Sequence, residues 1–251
     1  MVLETSSNSL NVVQGIHMYP TEKELNRDSR ASAPRSIDDC LEIVVSWIEK
    51  KAGKNYFLTP LEEFQANYGK VNPEDDYYQA RMNYFLEHCV LERPMTAIAA
   101  GRTPLSVFIE QNDQLTSGDD TTSSLWRRFC GFRHSLFQIE KSGPDQITIK
   151  DLLSDKTIKI YSKAGETLKY LARKSIFQGF IFGQRDEYVL GQGLIIHPDL
   201  ASKEIHKFLK CHRKYPRFAA KEVTRLLAQT NMKYMRMQHV DPAVIYQAIS
   251  L

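Results

Sequence analysis

The sequence predicts an α+β protein: a helical N-terminal region, a central antiparallel five-stranded meander or small barrel, and C-terminal helices. Three observations carry this. Helix-start signals of one type recur through the N-terminal half, five short β-type runs separated by turn residues follow it, and helical apolar spacing returns after Ser202. These changes divide the chain into a flexible arm over 1–35, a helical region over 36–123, a small antiparallel β domain over 124–200, and basic C-terminal helices over 201–251.

The arm is poor in periodic apolar positions and rich in Ser, Asn, Thr and charge, so it buries too little surface to offset the cost of ordering. The first helix starts at Ser36, a capping residue, with Asp38 and Asp39 at its positive end and Lys50, Lys51 and Gly53 at its finish. Its apolar face is Ile37, Leu41, Val44, Val45 and Ile48. Thr59-Pro60, Asn72-Pro73 and Thr103-Pro104 each place a cap before a proline and predict three further helices.

The period changes after a short helix in "LWRRFCGFRHS". Strands are expected over 135–140, 146–150, 157–161, 175–182 and 187–190, with turns at Gly143-Pro144-Asp145, Ser154-Asp155-Lys156 and Gly183 to Asp186. Leu136, Ile139, Ile147, Ile149, Ile158 and Ile160 read as one sheet face. A meander of this size buries one apolar face by curling. Asp241 and Pro242 open a last short helix.

The composition, 42% apolar and 25% charged over 251 residues, is that of a globular chain. No apolar run reaches the length of a membrane span, and the start lacks a basic region followed by an apolar block, so a cytoplasmic protein is expected. Cys40, Cys89, Cys130 and Cys211 are widely spaced, which points to reduced thiols. The total charge is +3, yet ten Lys or Arg stand against two Glu between Lys203 and His239. The basicity is C-terminal, a layout that fits a polyanion, an acidic partner or the acidic remainder of the same chain.

"GRTPLSVFI", "RHSLFQIEKSGPDQITIKDLLSDKTIKIY" and "IFQGFIFGQRDEYVLGQGLIIHP", in that order, resemble the body of a group of uncharacterised bacterial proteins often found with a SEC-C zinc-binding motif. The resemblance runs from about Asp75 to Leu209. That group brings no activity with it, and the zinc motif itself is absent here, so the resemblance implies no metal site.

The candidate chemistry is sparse. His206, Cys211 and His212 lie within seven residues, with His88 and Cys89 as a conceivable second pair, but neighbours on a helix point about 100° apart and do not converge on one ion. Cys130 and His134 are the chemically interesting pair, because the positive charge of Arg127, Arg128 and Arg133 would favour a thiolate. The glycines at 179, 183, 191 and 193 bracket β-type runs and read as strand bends rather than a phosphate loop. "RKYPR" has the Arg-x-x-x-Arg spacing of PilZ-type receptors without their second motif.

The strongest polar feature is basic. Lys210, Arg213, Lys214, Arg217, Lys221 and Arg225 gather in the C-terminal helices, the last group recurring every four residues opposite Phe218, Val223, Leu226 and Leu227. The expectation is a non-catalytic interaction or regulatory protein with a protein partner, no cofactor and no metal. The first alternative is a nucleic-acid-associated protein using those six residues. A hydrolase or transferase built on Cys130 and His134 is the second.

Overall fold

The first ordered helix, α1 (Ile37–Ala52), begins where Ser36 predicts it. The Ser36 hydroxyl accepts the Asp39 N–H at 3.1 Å while the Asp39 carboxylate accepts the Ser36 N–H, a reciprocal cap. The computed structural model describes residues 33–95, 101–143, 146–161, 173–184, 187–216 and 218–250. The expected arm lies outside these apart from its last three residues.

A 3₁₀ turn (Lys54–Phe57) leads straight into α2 (Leu58–Tyr68), so Thr59 sits inside the first turn rather than capping it. Asn72-Pro73 does not start a helix either. The Asp75 carboxylate accepts the Asn72 N–H and the Asp75 N–H returns to the Asn72 carbonyl, closing a turn, and α3 (Tyr78–Leu91) begins later. Thr103 caps α4 (Pro104–Gln111) as expected. A short α5 (Gln114–Ser117) and α6 (Thr121–Cys130), capped by Asp120, complete the helical region.

Among the described residues six strands follow: β1 (Phe132–Ser142), β2 (Gln146–Asp151), β3 (Thr157–Tyr161), β4 (Ile176–Gln184), β5 (Glu187–Leu190) and the two-residue β6 (Ile195–Ile196). β1 pairs antiparallel with both β2 and β4, β2 with β3, and β4 with β5. The ring closes where Ile160 of β3 pairs with Tyr188 of β5, and that pairing is parallel. Parity requires it, since directions cannot alternate all the way round a closed ring of five. The sheet is therefore the small barrel of the sequence expectation, with one parallel seam in place of an all-antiparallel meander. β6 pairs with β4 outside the ring.

Three apolar clusters organise the described residues. Phe137, Ile139, Ile147, Ile149, Ile158, Ile160, Phe177, Ile181 and Leu194 fill the barrel. Leu136, expected on that face, packs outside it, because positions 137 and 139 point inward and the side-chain period of a strand is two. Leu136 meets Leu152, Ile176 and the C-terminal helices α7 (Ser202–Lys214), α8 (Ala220–Arg236) and α9 (Pro242–Gln247). The largest cluster joins α1 to α4 and α6 to the outer face of the barrel through Phe132, Phe180 and Phe182. β4 is consequently buried on both faces, which explains its nearly continuous apolar run.

Among the described residues no helix is long and apolar enough to cross a membrane.

Candidate functional site

Helix α3 presents Arg81, Tyr84, Glu87 and His88 at helical spacing toward the barrel and α8, and these residues are buried. Glu92 follows the helix. Gln178 of β4 donates to the Tyr84 hydroxyl at 3.1 Å, and that hydroxyl lies 2.7 Å from Nε2 of His134 on β1. His134 Nδ1 is 3.0 Å from one Glu92 oxygen, and His88 Nδ1 is 3.2 Å from the other. Each of these contacts has one donor and one acceptor if Tyr84 donates to His134 and both imidazoles donate to Glu92. Burial works to raise the Glu92 carboxyl, but the hydrogen bonds and charges of His134 and His88 outweigh it and hold the group well below the usual carboxylate range.

A Tyr–His–carboxylate line can relay protons, yet the His134 side chain is 3% exposed and both of its ring nitrogens are taken by protein groups. It supports the junction of α3 with the barrel. Cys130 does not join it. The thiol is pushed up to about 11 by burial, the opposite of the expected lowering, because the basic neighbours are engaged elsewhere. Arg127 donates to the carbonyls of Thr116 and Gly118, Arg128 pairs with Glu187, and Arg133 lies 3.5 Å from Asp151.

Glu87 holds the loop between β5 and β6. One of its oxygens accepts the N–H groups of Gln192 at 2.9 Å and Gly193 at 3.2 Å, and the other has no partner. Burial raises this carboxyl to about 8. The glycines at 191 and 193 serve close approach: a Cβ at 191 would strike the Glu87 carboxylate, and one at 193 the Tyr84 backbone. Deeper in, Arg81 donates to Asn231 at 2.6 Å with no carboxylate beside it among the described residues. His197, 2.7 Å from the Tyr246 hydroxyl, is driven down to about 3 by burial and then by Arg81.

The six predicted basic residues do not form one surface. Arg213 donates to the Leu152 carbonyl at 2.7 Å and so locks the turn after β2, while the Lys214 ammonium stands 5.1 Å over the Tyr215 ring. Lys210 is exposed on α7. Arg217 lies outside the described residues, and α8 begins only at Ala220, so the stripe expected from 217 to 225 reduces to Lys221 and Arg225.

Two groupings replace it. On α7 the exposed Lys203, Lys207, Lys210 and Lys214 follow one face, opposite Ile205, Phe208 and Leu209. Only Lys207 has a carboxylate nearby among the described residues, Glu204 at 3.6 Å. The second grouping is a cleft of about 250 Å³ between α2 and the first turns of α8, lined by Tyr68, His88, Arg93, Lys221 and Arg225 with Glu63 and Glu222. Lys203 and Lys207 were legible from the i, i+4, i+7 spacing of the helix. Tyr68, His88 and Arg93 had no local signal, since the cleft joins segments more than a hundred residues apart.

Among the described residues no three metal-ligating side chains cluster. Comparison with protein-family models, with curated proteins and with solved structures gives no match for this chain.

Proposed function

We propose that this chain is a non-catalytic interaction or regulatory protein of the bacterial cytoplasm, acting through the basic face of α7 on an acidic protein partner. The observation that carries this is the four-lysine face, exposed and almost free of carboxylates, on a helix whose other side is anchored in the core. The engagement of His134 and the raised Cys130 thiol support a non-catalytic role. The resemblance to SEC-C-associated bacterial proteins belongs to the same proposal.

A nucleic-acid role is favoured by the geometry of that face. Its lysines run from Lys203 to Lys214, a rise of about 16 Å along the helix, a reach that permits several phosphate contacts. One charge-reversal variant, Lys203→Glu, Lys207→Glu, Lys210→Glu and Lys214→Glu, separates the readings. An acidic protein partner predicts that a protein captured by the wild type from native lysate is lost by the variant, with circular dichroism unchanged. Phosphate contact predicts that affinity for mixed nucleic acid falls with salt at a log–log slope of about −3 to −4. A variant that captures the same proteins and binds nucleic acid equally would end both.

A further inference from the structure

Arg81 is a buried cation with no carboxylate beside it among the described residues. It is 3% exposed and stands in the first turn of α3, the positive end of the helix. Burial lowers the guanidinium to about 10, so it stays charged at neutral pH. Its Nη2 donates to the Asn231 side-chain oxygen at 2.6 Å, while the buried Nη1 has no hydrogen-bond partner among the described residues. The same network fixes the proton of a second group. The Asn231 amide nitrogen donates to the Ile196 carbonyl at 2.8 Å and hydrogen-bonds the Tyr246 hydroxyl. That hydroxyl oxygen, already an acceptor, gives its own proton to His197 Nδ1 at 2.7 Å. Burial, and then the charge of Arg81, hold the imidazole down to about 3, so the ring is neutral and its single proton is on Nε2. His197 is 2% exposed, and this Nε2 is the second buried donor without a partner. Native structures rarely keep one such group without a reason.

We infer that a halide ion, chloride in solution, binds at Arg81 Nη1 with the Nε2–H of His197 as its second donor. Both unpartnered atoms are donors, so the ligand is an acceptor. Water would satisfy the hydrogen bonds but leave the guanidinium unneutralised, and a buried charge is stabilised by an opposite charge. A carboxylate or oxyanion would bring further acceptor oxygens. The network of Arg81, Asn231, Tyr246 and His197 has no third unpartnered donor among the described residues to meet them, which leaves a monoatomic anion. Its donors come from α3 and from the segment after β6, and the network reaches α8 through Asn231 and α9 through Tyr246. The ion therefore ties the N-terminal helices to the C-terminal ones. It is independent of the lysine face of α7 and of any partner bound there.

Crystals of the full chain grown from sodium bromide test this by anomalous scattering from bromine. The expected result is a bromide bonded to Arg81 Nη1 and His197 Nε2. In solution, urea titrations at fixed ionic strength, with chloride exchanged for the bulkier methanesulfonate, are expected to show the folding equilibrium constant rising about tenfold for each tenfold rise in chloride above its dissociation constant. Arg81→Met, which removes the charge and keeps an unbranched buried chain, abolishes that dependence. Lys203→Glu with Lys210→Glu on α7 retains it, which separates a buried ion from screening of the surface lysines. Should Arg81→Met fail to fold, the bromide position in the wild type decides. A water in place of bromide at Arg81, bromide found only against surface lysines, or stability indifferent to chloride overturns the inference.

Discussion

Glu87 and His197 are buried titratable groups whose pH effects run in opposite directions. The Glu87 carboxyl rises in the fold from the ordinary 4.5 to about 8, so the stability it contributes is complete below 4.5 and lost as pH climbs through 8. His197 falls from 6.5 to about 3, so its contribution is present above 6.5 and lost as pH drops toward 3. Glu92, held low by its two imidazoles after offsetting its burial, adds to the loss below about 4.5. Between about pH 4.5 and 6.5 the Glu87 and His197 slopes cancel, so the combined curve is flat there and falls above 6.5. From there to pH 8, Glu87 alone removes about 2 kcal/mol, and Glu87→Gln, which keeps an oxygen for the Gln192 and Gly193 amides, flattens that alkaline limb in urea titrations. An unchanged slope in the variant would mean that another group titrates.

Cys130 makes a residue-scale prediction of a different kind. With its thiol near 11, alkylation at pH 8 proceeds on the order of a hundredfold slower than that of an ordinary thiol near 8.5. Peptide mapping by mass spectrometry reads this directly. A rate within about tenfold of a free thiol would return the residue to consideration as a nucleophile.

Elements were legible in proportion to how local their causes are. The Ser36 cap, the Thr103 cap and the alternation of Ile147 with Ile149 and Ile158 with Ile160 are set within a few residues, and all appear where the pattern puts them. Thr59 and Asn72 carry the same kind of signal and fail, because neighbouring backbone reached a better arrangement first: a 3₁₀ turn feeding α2, and a side-chain-closed turn at Asp75. β4 yielded its position but not its double burial, which depends on helices supplied from both ends of the chain. The barrel interior should be the most sensitive site for packing changes. Phe177→Ala is expected to cost about 3–5 kcal/mol, against less than about 0.5 kcal/mol for Lys159→Ala on the exposed face of β3, both measured by equilibrium denaturation.

At the scale of the molecule, charge asymmetry was readable and its geometry was not. Counting lysines and arginines located the basic C-terminal segment, but helix boundaries decide which of them share a face. The break before Ala220 divides the group into a solvent-facing row on α7 and two residues turned into a cleft against α2 and α3. The cleft escapes sequence reasoning because Tyr68 and its cations meet only after α8 crosses α2, with Gln229 bonded to the Asn67 carbonyl beside it.

Closure of the β ring also limits how this protein can recognise another. An open sheet offers a row of unpaired backbone groups at its edge, on which a foreign strand or a second copy can template itself. Here each of the five long strands has a neighbour on both sides, and β6, two residues long, is too short to seed extension. Strand addition and edge-to-edge aggregation are therefore closed routes for the barrel, and specificity toward a partner has to be written in the side chains of the surrounding helices.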